Sequence, residues 1–491
     1  MHNYTMVIVL VLLNVSTGLA ADEVSELKTQ VQLLQERIVQ LETRQNQDEF
    51  SQRYGELVRQ MVSEWDSNSV RPGADTSLTA GYDKGFFIKS ADDQLKLTIK
   101  TFMQFRYTYA LTDDGEKDRD KAGTLSGPAV DSSAGVFELE RAKLILNGHV
   151  LKNLQYYIKV EMDDDAQNTV ALEDYLLTWR FMPELGINVG RHKAAFGKQE
   201  NTVESRQMLI DRSLANEVFN IRRGTGLELF GVLPVADSKL YHRVGIYNGF
   251  DDAQRSPFLE NDNNPAVAAR LELPLRGATP DDFTNESDLS FLENPVLQFA
   301  CSLAYANARN EEHFGGGEDD NYEVLVKGMD AKSDIVEPGG KIALFGADVA
   351  YKYQGLSVIG EGFYQHADLD RGDLGFENDF GATRNVFDPA GRVLIDGYEV
   401  DNFGWYVQAG YFLVPKVFEI AGRISGVHVD NTNDMYEYAG GWNWYLSGQE
   451  LKLSMDITYI DELPLAVSGP NFAGVQNNSL FLLRSQLQFM F

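Results

Sequence analysis

Residues 480–491 read L-F-L-L-R-S-Q-L-Q-F-M-F, and their parity decides the fold. Phe481, Leu483, Ser485, Leu487, Phe489 and Phe491 make one largely apolar face, while Arg484, Gln486, Gln488 and Met490 make the other. An alternating strand that finishes on an aromatic residue is what an outer-membrane β-barrel uses as its last strand. One face meets lipid and the other a wet lumen.

The start of the sequence fits that compartment. Residues 6–13 read M-V-I-V-L-V-L-L, followed by Gly18, Ala20 and Ala21. This run falls short of the roughly 20 apolar residues that span a bilayer. With its small-residue flank it reads as a signal peptide over 1–21. Over 22–65, Val24, Leu27, Val31, Leu34, Ile38 and Leu41 hold heptad spacing. The repeat falters at Gln45 and Asp48 and resumes out of register at Phe50, Tyr54, Leu57, Met61 and Trp65. This predicts a short α-helical coiled coil that pairs with copies of itself or with another partner. Ser67, Pro72 and Gly73 mark 66–84 as a linker, and 85–491 is the barrel.

From Gln94 the dominant period is two. Candidate strands fall at 94–111, 136–150, 154–163, 170–182, 186–194, 222–235, 238–250, 264–275, 296–307, 341–353, 356–367, 402–413, 416–428, 435–446, 450–460 and 479–491. That is an all-β, 16-stranded antiparallel transmembrane β-barrel. Phe86–Ser90 reads as an additional short strand or plug. Short and long connections alternate, as in barrels with tight periplasmic turns and long outer loops. The connection 276–295 breaks the rule by being long on the short side.

Composition excludes several classes. The formal charge of the 491 residues is −30, which argues against a nucleic-acid partner. The lone Cys301 permits no intrachain disulfide and no cysteine metal site. No catalytic motif is present, so no catalytic residue, metal or cofactor is expected.

Several segments together resemble the phosphate-selective porin O and P family. They are G-F-F-I-K-S (85–90), F-E-L-E-R-A-K-L-I-L-N-G (137–148), the run 172–190, F-G-K-Q-E (196–200), Y-H-R-V-G-I-Y-N-G (241–249), V-Q-A-G-Y-F-L-V-P (407–415), N-W-Y-L-S-G-Q-E-L-K-L (443–453) and the Q-L-Q-F-M-F end. The resemblance implies a sixteen-stranded porin barrel, a homotrimer in outer-membrane lipid, and passage of small ions and solutes, phosphate among them.

Parity gives the lumen a basic stripe: Lys96, Lys100, Arg106, Arg141, Lys143, Lys159, Arg191, Lys193, Arg243 and Arg484. Arg offers bidentate recognition of anions and Lys a point charge. Two readings stand side by side. The stripe is an anion path, or its cations pair with lumen acids and hold the wall together. The connection 195–221 is the natural constriction, with Lys198, Glu200, Arg206, Asp211, Arg212, Arg222 and Arg223 as candidates. Acidic outer loops, such as Asp113, Asp114 and Glu116, oppose strong phosphate selectivity. The rival role is structural: a periplasmic coiled coil that tethers the envelope to the cell wall. Deleting 22–65 separates the two, since intact conductance with failed envelope integrity would make tethering the main role.

Overall fold

The computed structural model describes residues 77–112, 133–162, 170–235, 238–249, 265–308, 340–369, 375–377, 383–385, 398–428, 434–461 and 479–491. The expected signal peptide and coiled coil lie outside the described residues, as do 66–76 of the expected linker.

The strands are β1 (Leu78–Tyr82), β2 (Phe86–Ser90), β3 (Leu95–Thr112), β4 (Ser133–Val150), β5 (Leu154–Met162), β6 (Val170–Met182), β7 (Leu185–Lys193), β8 (Arg223–Val235), β9 (Ser238–Tyr247) and β10 (Ala266–Leu275). They continue as β11 (Val296–Ala308), β12 (Gly340–Tyr353), β13 (Leu356–Leu369), a separate pair β14 (Gly375–Glu377) and β15 (Thr383–Asn385), β16 (Tyr398–Val414), β17 (Phe418–His428), β18 (Met435–Ser447), β19 (Leu451–Asp461) and β20 (Leu480–Met490). Neighbours from β3 to β13 and from β16 to β20 pair antiparallel, β13 pairs antiparallel with β16, and β20 pairs back to β3 from Leu480↔Thr112 to Met490↔Phe102. These sixteen strands form a closed barrel, as the parity of the sequence predicts. Phe491 continues the seam by exchanging backbone hydrogen bonds of 2.8 and 3.2 Å with Thr101.

Below that seam β2 takes over the edge of β3, pairing Phe86↔Ile99 through Lys89↔Lys96. β1 folds onto β2. The plug or extra strand expected at 86–90 is therefore one arm of a hairpin, whose other arm, β1, occupies part of the expected linker.

The alternation sorts side chains as expected. On β20, Arg484, Gln486 and Gln488 are enclosed in the lumen, whereas Leu487 and Phe489 are exposed on the outer face. The same holds around the ring, where Phe299, Phe345, Trp405, Val407, Ile424 and Ile457 stay exposed. In a barrel these are lipid-facing positions.

Of the five register shifts among the described strands, two turn a carboxylate inward. On β4, Gln104 faces Arg141 while Phe105 faces Leu139, so Glu140 is the extra residue. On β6, Lys159 faces Asp174 while Val160 faces Leu172, so Glu173 is extra. A bulge sends two consecutive residues to one face. Each one delivers an additional carboxylate to the lumen.

The segment 195–221 crosses the lumen with only short helical turns: α1 (Lys198–Asn201), a 3-10 turn at Glu204–Arg206, and α2 (Leu214–Phe219). Ser213 caps α2 by accepting from the Asn216 backbone N–H at 3.1 Å. Its apolar residues pack on the wall, with Phe219 stacked on Phe363 at 5.8 Å between centroids and Phe196 6.2 Å from the same ring. Gly404 makes room for this, because a Cβ there would overlap the Phe219 ring. Gly404→Val is expected to weaken this docking by about 1–3 kcal/mol through overpacking. Amide exchange at Leu214 and Ala215 should quicken about tenfold or more while the β20–β3 seam stays protected.

Candidate functional site: the lumen and its inserted segment

An irregular segment has few internal partners for its backbone, and buried backbone polar groups need partners. The far wall supplies them. Glu361 accepts from the backbone N–H groups of Lys198 and Gln199 at 2.5 and 3.2 Å. Asp456 accepts from Ile210 at 3.2 Å, and Glu437 from Leu214 at 2.6 Å. The carbonyls are met by cations and amides. Lys452 Nζ donates to Gln207 O at 3.0 Å, Asn443 Nδ2 to Met208 O at 2.7 Å, and Arg423 to the carbonyls of Asp211 and Arg212, each at 2.9 Å.

The wall carries the predicted cations, and all but Lys96 and Lys100 are met by carboxylates or carbonyls. Arg106 lies 3.1 Å from Glu140 and 2.9 Å from Asp211. Arg141 lies 3.1 Å from Glu140. Lys143 reaches Glu161 and Glu173, each at 3.0 Å, and Lys159 reaches Asp174 at 2.7 Å. Arg223 bonds Asp174 at 2.8 Å and also pairs with Glu173. Arg191 donates to the Glu173 carbonyl at 3.1 Å. Lys193 donates to the Glu200 carbonyl at 2.6 Å, and Arg243 to Glu228 at 2.9 Å. Arg484 holds Asp456 at 2.9 Å and Asp211.

The segment's own candidates divide. Glu200 pairs with Arg212 at 3.3 Å, and Arg222 lies 3.9 Å from Glu217. Lys198 turns away from the open lumen and donates to Phe283 O at 2.6 Å. Arg206 is exposed. Its charge acts on Lys100 together with those of Lys84 and Lys96, and Asp83 acts in the opposite sense. Lys96 also lies 5.4 Å over the Phe87 ring. The expected continuous basic stripe is therefore largely a compensated wall, and Lys84, Lys96, Lys100 and Arg206 make no ion pair among the described residues.

The connection 276–295, anomalous in length, also enters the barrel. Glu286, Ser287 and Asp288 are enclosed there. Lys352 grips it through the carbonyls of Asp282, Asn285 and Ser287 at 2.9, 2.6 and 3.1 Å.

Sequence reasoning missed Glu140 and Glu173 because bulges defeat parity. It missed Glu361, Arg423, Glu437 and Asp456 because nothing local marks a strand residue as a partner of a distant segment.

The family model described as phosphate-selective porin O and P matches residues 122–248. The chain is related to that family. Among solved structures, an anion-selective porin from Comamonas acidovorans is similar at TM-score 0.48 and 10% identity, over 80% of this chain and 99% of that one. The trimer form of OmpT, an outer-membrane protein of Vibrio cholerae, gives 0.44 and 10%, over 80% and 99%. The outer-membrane channel DcaP of Acinetobacter baumannii gives 0.43 and 10%, over 84% and 100%. Curated proteins give no match by sequence. The closed sixteen-stranded barrel with its charged lumen, together with the family match over 122–248, supports an outer-membrane porin.

Three carboxylates of the inserted segment, Glu200, Glu204 and Asp211, titrate low, while burial raises a fourth, Glu217. Burial raises Glu200, but Arg212 and Lys193 outweigh it and hold the carboxyl at about 2. Burial likewise raises Glu204 and Asp211, yet Lys143 and Lys193 hold the first, and Arg106 and Arg484 the second, well below the ordinary range. A depressed carboxylate stabilises above its ordinary pKa and loses that contribution as pH falls through the folded value. Single-channel conductance titrations of the unaltered protein and of Glu200→Gln should therefore share their shape from pH 7 to about 4.5 and part only toward pH 2. A difference in shape between pH 7 and 5 would contradict this.

Proposed function

We propose that this porin passes small hydrophilic solutes and ions passively, with a weak preference for anions. The observation that supports it is that Lys84, Lys96, Lys100 and Arg206, whose charges act together at Lys100, make no ion pair among the described residues. Compensated wall charges contribute little net field, because each cation's field is cancelled by a carboxylate about 3 Å away. Cations left unpaired at one mouth raise the local anion concentration. Phosphate enters as one anion among several. The family's description supports it, and the strongly acidic sequence at −30 weighs against a dedicated phosphate channel.

We also propose that the protein works as a homotrimer, with the heptads of 22–65 on the periplasmic side, where they are free to pair with copies or contact the cell wall.

Planar-bilayer recording under a salt gradient tests the selectivity. The expected reversal potential has the anion-selective sign and falls toward zero in Lys96→Glu/Lys100→Glu. A cation-selective sign in the unaltered protein overturns the anion reading. If millimolar phosphate leaves chloride current unblocked, a phosphate site is ruled out.

A further inference from the structure

We infer that Glu286, on the connection 276–295, is the positioning residue of the constriction, and that this periplasmic connection fixes where Arg206 stands in the channel. The inference rests on the porin reading. It goes beyond that reading by assigning control of the lumen to a segment on the side of the barrel where connections are otherwise short.

Glu286 is 1% exposed, and its carboxylate spends both oxygens on the inserted segment. Oε2 accepts from the Met208 backbone N–H at 2.7 Å, and Oε1 accepts from Gln199 Nε2 at 3.2 Å. Its own backbone N–H donates to Arg206 O at 3.0 Å. The three contacts bracket the 3-10 turn at Glu204–Arg206 from both sides in sequence. Arg206 is thereby held at its carbonyl, while its exposed side chain carries a charge that acts on Lys100.

Glu286 is itself fixed. Ser357 Oγ donates to its carbonyl at 2.5 Å. The next residues are anchored to the wall, Ser287 Oγ donating to Glu419 at 2.9 Å and Asp288 accepting from Gly355 N–H at 2.8 Å. Lys198 Nζ closes the contact from the other segment by donating to Phe283 O. The two segments are thus joined through charge-assisted bonds in an enclosed site, where losing an acceptor leaves donors unmatched. Nothing else among the hydrogen bonds described reaches both the Met208 N–H and the Arg206 carbonyl from one residue.

The test is single-channel recording of the full-length protein with Glu286→Ala and Glu286→Gln, alongside heat-modifiable electrophoretic mobility as a check on barrel folding. The alanine variant should spend roughly tenfold more time in altered-conductance substates and lose part of its anion preference. The glutamine variant keeps one acceptor oxygen and should fall between it and the unaltered protein. If alanine prevents folding, glutamine is read by the same criterion. A folded variant with lower thermal stability but unchanged substates and reversal potential makes Glu286 a fold residue only and overturns the inference. An unaltered protein that does not conduct overturns the porin reading instead. Changed substates with an unchanged reversal potential reject the link to Arg206.

Discussion

The constraint on which the lumen depends is the backbone of residues 195–214. A chain segment laid through a barrel without long helices or strands exposes N–H and C=O groups to a poorly hydrated wall. Those groups need partners. Donors of the segment meet Glu361, Asp456 and Glu437, while its carbonyls meet Lys452, Asn443 and Arg423. The wall residues of β13 and β17–β19 are therefore chosen by the loop. An inward strand face that looks merely polar in sequence is a template for one irregular conformation.

Charge balance follows from the same enclosure. An isolated charge in a low-dielectric site is costly, and breaking one partner of a buried pair costs about 3–5 kcal/mol. The barrel meets this locally. The bulges at Glu140 and Glu173 bring acids to Arg106, Arg141, Lys143 and Arg223, positions that regular alternation would leave short of carboxylates. Asp211 then bridges Arg106 on the first barrel strand and Arg484 on the last. The constriction segment thus staples the closing seam of the barrel from inside.

The sixteen strands were legible because a period of two is a local property, visible over each ten or so residues. So was the seam, since residues 480–491 carry their two faces openly. The hairpin β1–β2 was half legible: Phe86–Ser90 showed strand character, but Leu78–Tyr82 lay in a stretch whose neighbours are turn formers. Parity marked the candidate cations and the opposing acids Glu161 and Asp174; the partners carried by bulges and by the inserted segment left no such mark. Glu173 sits one residue from Asp174, and only the bulge, a feature of the pairing of two strands, puts both inside. Glu286 lies in a connection whose length alone stood out.

These pairings change what the lumen cations do. A lysine whose three donors are spent on carbonyls and carboxylates has little to offer a passing ion, and Lys352 and Lys143 are of this kind. The wall therefore sets the shape of the passage, and net charge near its mouth sets the sign of what it favours. Arg206 belongs to both systems. Its carbonyl is held by the enclosed network through Glu286, and the charge of its exposed guanidinium acts on Lys100. Shape and selectivity are coupled at that residue, because any shift of the inserted segment moves a charge of the mouth.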